Sequence, residues 1–299
     1  MTDATKEEPN AAEQRRALFL ENVRHALYVL RQRKTALVGL SFILLLILVA
    51  ALAPWLAPYK ADEFTSQVLQ EPSLAFPFGV DQLGRDQMSR VIYGARISLW
   101  VGLLAVGLSL TTGTLIGLVS GYFGGWIDNL IMRAMDIMMS LPYVLLAILI
   151  ATALGPSLQN GILAIGIVRV PRFARLARAS TLSVKELQYI EASRAIGASD
   201  ARIILKDVLP NIAGPIVVYS TLSLGDSILA AAVLSFLGLG AQPPIPEWGA
   251  MLNEAQQYVI NAPYLSIFPG LAIFMTVLAF NLFGDGLRDV LDPKTESAR

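Results

Sequence analysis

Ile97-Ser-Leu-Trp-Val-Gly-Leu-Leu-Ala-Val-Gly-Leu-Ser-Leu-Thr-Thr-Gly-Thr-Leu-Ile-Gly-Leu-Val-Ser-Gly-Tyr-Phe123 runs for 27 residues without a charge. About 18 or more apolar residues are enough to cross a hydrocarbon core of about 30 Å as a helix. Inside a bilayer the backbone finds no water, so such a segment satisfies its own amides by being helical. The stretch therefore reads as a transmembrane helix, and it does not stand alone. Ala36–Leu56 and Tyr264–Gly284 are each 21 residues without a charge. Three more stretches are apolar with exceptions. Met135–Leu154 carries Asp136 at its start, Leu158–Ala177 meets Arg169, Pro171 and Arg172, and Ile212–Leu239 holds Asp226. Six spans are expected in an all-α polytopic membrane protein, with both termini on one side.

Composition agrees. The chain is 55% hydrophobic and 15% charged, against about 25% charged in a soluble protein. Charge is removed in blocks, as a bilayer requires, and not thinned evenly. The formal net charge is zero, which does not suggest nucleic acid as a partner. There is no cysteine, and the single histidine, His25, sits in a polar N-terminal stretch. Disulfides and thiolate metal sites are excluded, and a single histidine in a polar terminal stretch points away from His-based catalysis, so neither a metal nor a cofactor is expected. A membrane-embedded enzyme would be left with Ser/Lys or paired-Asp chemistry, and no such pair lies at membrane depth. A secretory signal would place an apolar region of about 7–15 residues earlier, so Ala36–Leu56 reads as a retained span. The chain divides into residues 1–35, a first helix over 36–57, a loop over 58–96, a five-helix core over 97–284 and a tail over 285–299.

The positive-inside rule orients these spans. A cytoplasmic N-terminus places nineteen of the 23 Lys and Arg residues inside. They include Lys6, Arg15, Arg16, Arg24, Arg31, Lys294 and Arg299 near the termini, and Arg169 to Lys206 between spans four and five. Outside lie only Lys60, Arg85, Arg90 and Arg96. Two external segments read as structured. Asp62–Arg96 is punctuated by Gly and Pro as in a set of turns, with Arg85 and Asp86 placed to pair within it. Gln242–Pro263 is stiffened by prolines, and its Trp248 suits a membrane–water interface.

The inside segment Ser183-Val-Lys-Glu-Leu-Gln-Tyr-Ile-Glu-Ala-Ser-Arg-Ala-Ile-Gly-Ala-Ser-Asp-Ala-Arg-Ile-Ile-Leu-Lys-Asp-Val-Leu-Pro210 is the most informative. Ser183 and Glu186 form a capping-box pattern, which predicts a helix start. Gly197 stands where a left-handed C-terminal cap is wanted. Ser199 can cap a second helix, Asp200 favours its positive dipole end, and Pro210 is expected to end it. The pattern is a helix–turn–helix standing between two spans.

Glu191-Ala192-Ser193, then Gly197, then Leu209-Pro210 resembles the EAA motif of ABC-importer permeases, with Ser193 for the second Ala and Asp207 where the general pattern has Ile. Phe78–Asp86, Val91–Ser98, Gly121–Gly125, Leu234–Pro244 and Phe280–Pro293 are similar to the peptide/nickel permease subfamily, of the dipeptide-permease C-subunit kind. The resemblance implies a type I importer fold in a bacterial inner membrane. It also implies a coupling helix docked on a nucleotide-binding subunit through Glu191, Ala192, Ser193, Gly197, Asp200, Leu209 and Pro210. The implied partners are a second, similar permease in a heterodimer, two ATPases and an external substrate-binding protein. Di- or oligopeptides are the implied solutes, with glutathione, nickel chelates and oligosaccharides as alternatives. The chain contains no Gly-x-x-x-x-Gly-Lys-Ser/Thr loop, so ATP and Mg would be held by the partners. A secondary transporter is the alternative class, but such proteins usually show internal repeats and several intramembrane charges.

Asp226 is the one acid deep in a span, and an intramembrane ionisable group is a functional-site candidate by default. In one reading it lines the translocation path with Ser223 and Asn281. In the other it is hydrogen-bonded by Ser223, Ser227 or Asn281 and joins helices. Arg169, Arg172, Arg175 and Arg178 read as inside anchors or as contacts to the ATPase or anionic lipid. Gly113 and Gly117 form a small-xxx-small pair for close helix packing, within the subunit or between subunits.

Overall fold

The computed structural model describes residues 33–291. Residues 1–32 and 292–299, with the charges at Lys6, Arg15, Arg16, Arg24, Arg31, Lys294 and Arg299 and the lone His25, lie outside the described residues. The described residues form helices and connecting turns, with only isolated bridges at Phe64–Arg85 and Val80–Asp86. Helix α1 is Lys34–Ala51 and α2 is the single turn Ala53–Leu56. Then follow α3 (Gln87–Phe123), α4 (Gly125–Met139), α5 (Tyr143–Leu154), α6 (Leu158–Lys185) and α7 (Gln188–Ala195). Helix α8 runs over Asp200–Phe236, α9 over Trp248–Ala255 and α10 over Tyr264–Leu291.

Helix α3 starts where Asp86 caps it, its carboxylate accepting the Ser89 N–H at 2.7 Å, and stops at Gly124, whose φ of +65° is left-handed. Its 37 residues reach about 55 Å at 1.5 Å per residue, well beyond a bilayer core. It packs along α6 through a stripe of glycines. A methyl group at Gly113 would stand 2.5 Å from Phe173 Cβ, Gly117 lies against Ala174 and Ala177, and Gly121 against Thr181. The Gly113–Gly117 pair is thus a seam within the chain. Small residues also fill the neighbouring core, where Ala105, Ala147, Ala151, Ala164, Ala230 and Ala231 meet. Apolar tails offer the same medium as apolar side chains, so close backbone approach is what holds membrane helices together.

Four described helices are long and apolar enough to cross a membrane: Lys34–Ala51, Gln87–Phe123, Asp200–Phe236 and Tyr264–Val290. The expected straight span Met135–Leu154 is broken. Helices α4 and α5 meet at 90° around Ser140-Leu-Pro142, because Pro142 has no N–H to donate and disfavours helical backbone at Leu141. Taken as one bent span they make a fifth. Helix α6 has 28 residues, long enough for a bilayer, but its four arginines lower its hydropathy.

At the end of the bundle far from α7, the turns over residues 58–86 are locked to α9 by charge. Arg85 Nε donates to Asp81 Oδ2 at 2.6 Å, and Arg85 and Arg90 both donate to Glu254 Oε2, at 2.7 and 2.8 Å. Arg85 therefore does not pair with Asp86, whose carboxylate is taken by the α3 cap. Trp248 is not at an interface either. It is 1% exposed, packed against Gly94, with its Nε1–H donated to the Val91 carbonyl at 3.0 Å. Beside it Glu247 is buried and caps α9 through the Ala250 N–H at 2.9 Å. Burial pushes its carboxyl above the usual carboxylate range, opposed by the Gly249 and Ala250 N–H groups and by Ser235 and Ser98.

Candidate functional site

The segment after α6 begins differently from its capping-box pattern. Ser183 starts no helix. It lies in the last turn of α6 and donates its hydroxyl to the Ala179 carbonyl at 3.3 Å. The buried face of α6, with Ala174, Ala177 and Thr181 against α3, carries the helix through to Lys185. A serine inside such a packed helix bonds backward to the carbonyl four residues earlier instead of capping. Leu187 then takes extended backbone, and α7 starts at Gln188 with no side-chain cap.

The far end of α7 forms as its glycine predicts. Gly197 has φ +80°. Its N–H bonds the Arg194 carbonyl at 2.9 Å, and the Ala198 N–H bonds the Ser193 carbonyl at 3.1 Å. This pair of bonds is the Schellman termination. The inner face of α7 is anchored by fully buried Ile190, packed with Ile203, Val208 and Ile212. Glu191, Ala192, Arg194, Ala195 and Gly197 are exposed, and Ile196 is 83% exposed. Ser193 is half-buried.

A second brace was not visible in the motif. The Tyr122 hydroxyl, at the end of α3, donates to Asp200 Oδ1 at 2.7 Å, and the Arg194 guanidinium lies 5.2 Å from the same ring. Asp200 is thus a strut between α8 and α3. Ser199 occupies the N-cap position but makes no side-chain cap bond.

Pro210 does not end a helix. Helix α8 passes through it, and Ile203–Val208 is wound as a π turn in which the Leu209 N–H reaches the Ile204 carbonyl, five residues back. The wider turn lets the chain pass the missing Pro210 N–H without a break. The Asp207 carbonyl accepts the Asn211 side chain at 2.6 Å. Helix α7 is consequently joined to α6 by residues 186–187 and, through the turn over residues 196–199, to the continuous 37-residue helix α8.

At mid-bundle Asp226 faces Arg169, with Oδ2 3.8 Å from Nη1. Neither Ser223 nor Ser227 bonds it; both hydroxyls are buried without a partner among the described residues. Asn281, half-buried on α10, makes no described bond to it either. Arg169 is no inside anchor, since it is 3% exposed. The other arginines of the ladder are also used within the chain. Arg172 lies 5.4 Å from the Tyr143 ring centroid, Arg175 pairs with Asp136, and Arg178 grips both oxygens of Asp128 at 2.5 Å. These bonds hold α4 against α6. Asp128 and Asp136 sit eight residues apart on α4, so both reach the ladder from one helix.

The geometry is that of a polytopic frame with a braced helix exposed at one end and an acid–base pair at its middle. Residues 113–297 match the family described as binding-protein-dependent transport system inner membrane component. Residues 23–74 match the N-terminal TM domain of oligopeptide transport permease C. The dipeptide transport system permease protein DppC of Alkalihalophilus pseudofirmus is 50% identical over 275 residues, 92% of this chain and 90% of that protein. The glutathione transport system permease protein GsiD of Escherichia coli is 52% identical over 266 residues, 88% of each. Among solved structures, an inward-facing form of the MetNI methionine ABC transporter superposes with a TM-score of 0.55 at 21% identity, covering 68% of this chain and 97% of that one. That likeness is one of fold.

Proposed function

The chain belongs to the family of binding-protein-dependent transport system inner membrane components, and on that premise we propose that it forms, with a second homologous permease, the path of an ATP-driven importer for di- or oligopeptides. The supporting observation is the exposed helix Gln188–Ala195, closed by left-handed Gly197 and braced by Tyr122–Asp200. A short helix with small residues outward lets a partner approach closely. A brace to α3 and a continuous helix into the membrane would carry its displacement to the bundle.

In this reading Glu191, Ala192 and Ser193 meet a groove on an ATP-binding subunit, while Gly197, Asp200, Leu209 and Pro210 set the helix in place. Two such ATPases hold the ATP and Mg, and this chain binds no cofactor and catalyses no reaction. An external binding protein delivers the solute. Six spans cross a bacterial inner membrane, α4–α5 and α6 included, and both termini and α7 are cytoplasmic. The basic residues around α7 support that orientation. Asp226 lies on the path, with Ser223 on the same helix and Asn281 on the neighbouring α10. The similarity to a glutathione permease supports a second solute, itself peptide-like.

Co-purification with the cognate ATPases, followed by ATP hydrolysis and uptake assays in proteoliposomes, tests the proposal. Peptide-loaded binding protein should raise hydrolysis and drive uptake of dialanine. A chain that holds no ATPase, or that transports without ATP, would remove the reading. Stimulation by glutathione alone would move the solute to the second alternative.

A further inference from the structure

Arg169 lies eleven residues into α6, about 16 Å from its first residue, and Asp226 ten residues before Phe236, about 15 Å from the end of α8, at 1.5 Å per residue. Both helix ends face the side opposite α7, so the two charges meet near the middle of the bundle. The Arg169 side chain is 4% exposed, yet its Nε and Nη1 have no hydrogen-bond partner among the described residues. Its nearest carboxylate stands at 3.8 Å, beyond hydrogen-bond length. A buried guanidinium left in this state is strongly unfavourable unless an oxygen reaches it. Asp226 shows the converse. Its side chain is 53% exposed, and a carboxylate at this depth does not face hydrocarbon. This face of α8 therefore opens on water or on something polar.

We propose that Arg169 and Asp226 form a dipolar subsite for zwitterions, Arg169 taking the free carboxylate of a passing solute and Asp226 its ammonium group. The inference rests on the peptide reading above and narrows it to solutes with both termini free. The two charges balance, so a single charged residue of a second permease, closing over this face, would leave one of them uncompensated. A zwitterion satisfies both. The aromatic ring of Tyr143 lies 5.8 Å from the Arg169 guanidinium and limits how that group can turn.

Saturation-transfer NMR on the purified importer without its binding protein reads this subsite directly, with dialanine, N-acetyl-dialanine and dialanine amide as probes. Wild type should bind dialanine about tenfold better than either blocked form, the effect of one charge-assisted hydrogen bond. Asp226→Asn should abolish the preference for a free amine and keep that for a free carboxylate. Arg169→Gln should do the reverse, and Arg169→Lys should retain the carboxylate preference. If Arg169→Gln does not assemble, Asp226→Asn decides, because its half-exposed side chain supports little packing. Absence of dialanine binding, equal binding of all three probes, or preferences unmoved by Asp226→Asn would overturn the proposal. So would variants that lose only the second permease, which would make this face a subunit contact. Uptake of dialanine by the complete wild-type importer separates the two readings. No uptake sinks the peptide assignment, whereas uptake with a flat NMR profile sinks the subsite alone.

Discussion

Two clusters of arginine and carboxylate stand at different depths of the same bundle, and they are built to opposite ends. In the cluster beyond the α9 end, Arg85 and Arg90 are 2% and 1% exposed, both donate to Glu254, Arg85 also donates to Asp81, and Arg90 Nη1 lies 3.5 Å from Asp81. At mid-bundle Arg169 is as deeply buried, but its acid is half-exposed and out of reach. Pairing in the first case fixes a fold by tying the turns over residues 58–86 to α9. Incomplete pairing in the second leaves donors for a visitor. Burial of a charge does not by itself distinguish the two clusters; what does is that each guanidinium of the first hydrogen-bonds a carboxylate and Arg169 does not.

The comparison breaks most easily at the first cluster. Arg85→Ala removes one of the two cations shared by Asp81 and Glu254, leaving them only Arg90, and should cost about 3 kcal/mol, at the low end for breaking a buried ion pair. Thermal unfolding of the solubilised protein would show it, and an unchanged midpoint would mean the cluster carries no load. Gly117→Leu should come next, at roughly 1–3 kcal/mol for overpacking a seam, because Gly117 has no room against Ala174 and Ala177. Its readout is the yield of folded subunit, and a normal yield would place the α3–α6 contact elsewhere. Asp226→Asn should cost roughly 1–2 kcal/mol, since it leaves the buried Arg169 without its nearest charge but the pair is already loose at 3.8 Å and half-exposed on the acid side. A large loss of stability there would move Asp226 into the structural class.

The smallest effect is a pH dependence. Burial raises the Glu247 carboxyl in the folded chain, so the folded state holds its proton where the unfolded state has released it. That contribution is fully present below the ordinary carboxylate range and is lost as pH rises toward the raised value. Glu247→Gln should flatten this part of the profile of unfolding temperature against pH. A profile identical to wild type would mean that Glu247 is charged when folded.

Much of the frame is legible in one sequence because membrane spans announce themselves by missing charge. Gly197 is legible for a related reason, since a glycine after a short amphipathic stretch marks a left-handed cap. What local patterns miss is decided by packing. Ser183 matches a capping box, but the buried face of α6 extends past it. Pro210 matches a helix stop, but a π turn carries α8 through. Trp248 and Arg169 match an interface aromatic and an anchor, yet both are filled in by distant helices. The Tyr122–Asp200 strut joins residues 78 positions apart, and nothing short of the fold brings them together.

The central claim, that displacement of the Gln188–Ala195 helix drives the path, rests on a glycine whose surroundings are open. Nothing lies within 4 Å of where a Cβ would sit on Gly197, but its φ is +80°. A side chain there meets backbone strain alone, about 1–2 kcal/mol for an ordinary L-residue, and asparagine tolerates the conformation better. The decisive measurement is ATP-driven dialanine uptake by importers reconstituted with Gly197→Val and Gly197→Asn subunits at equal membrane levels. The account predicts that the Val subunit inserts normally and loses uptake, while the Asn subunit keeps a substantial part of it. Full uptake by a normally inserted Gly197→Val subunit would contradict it.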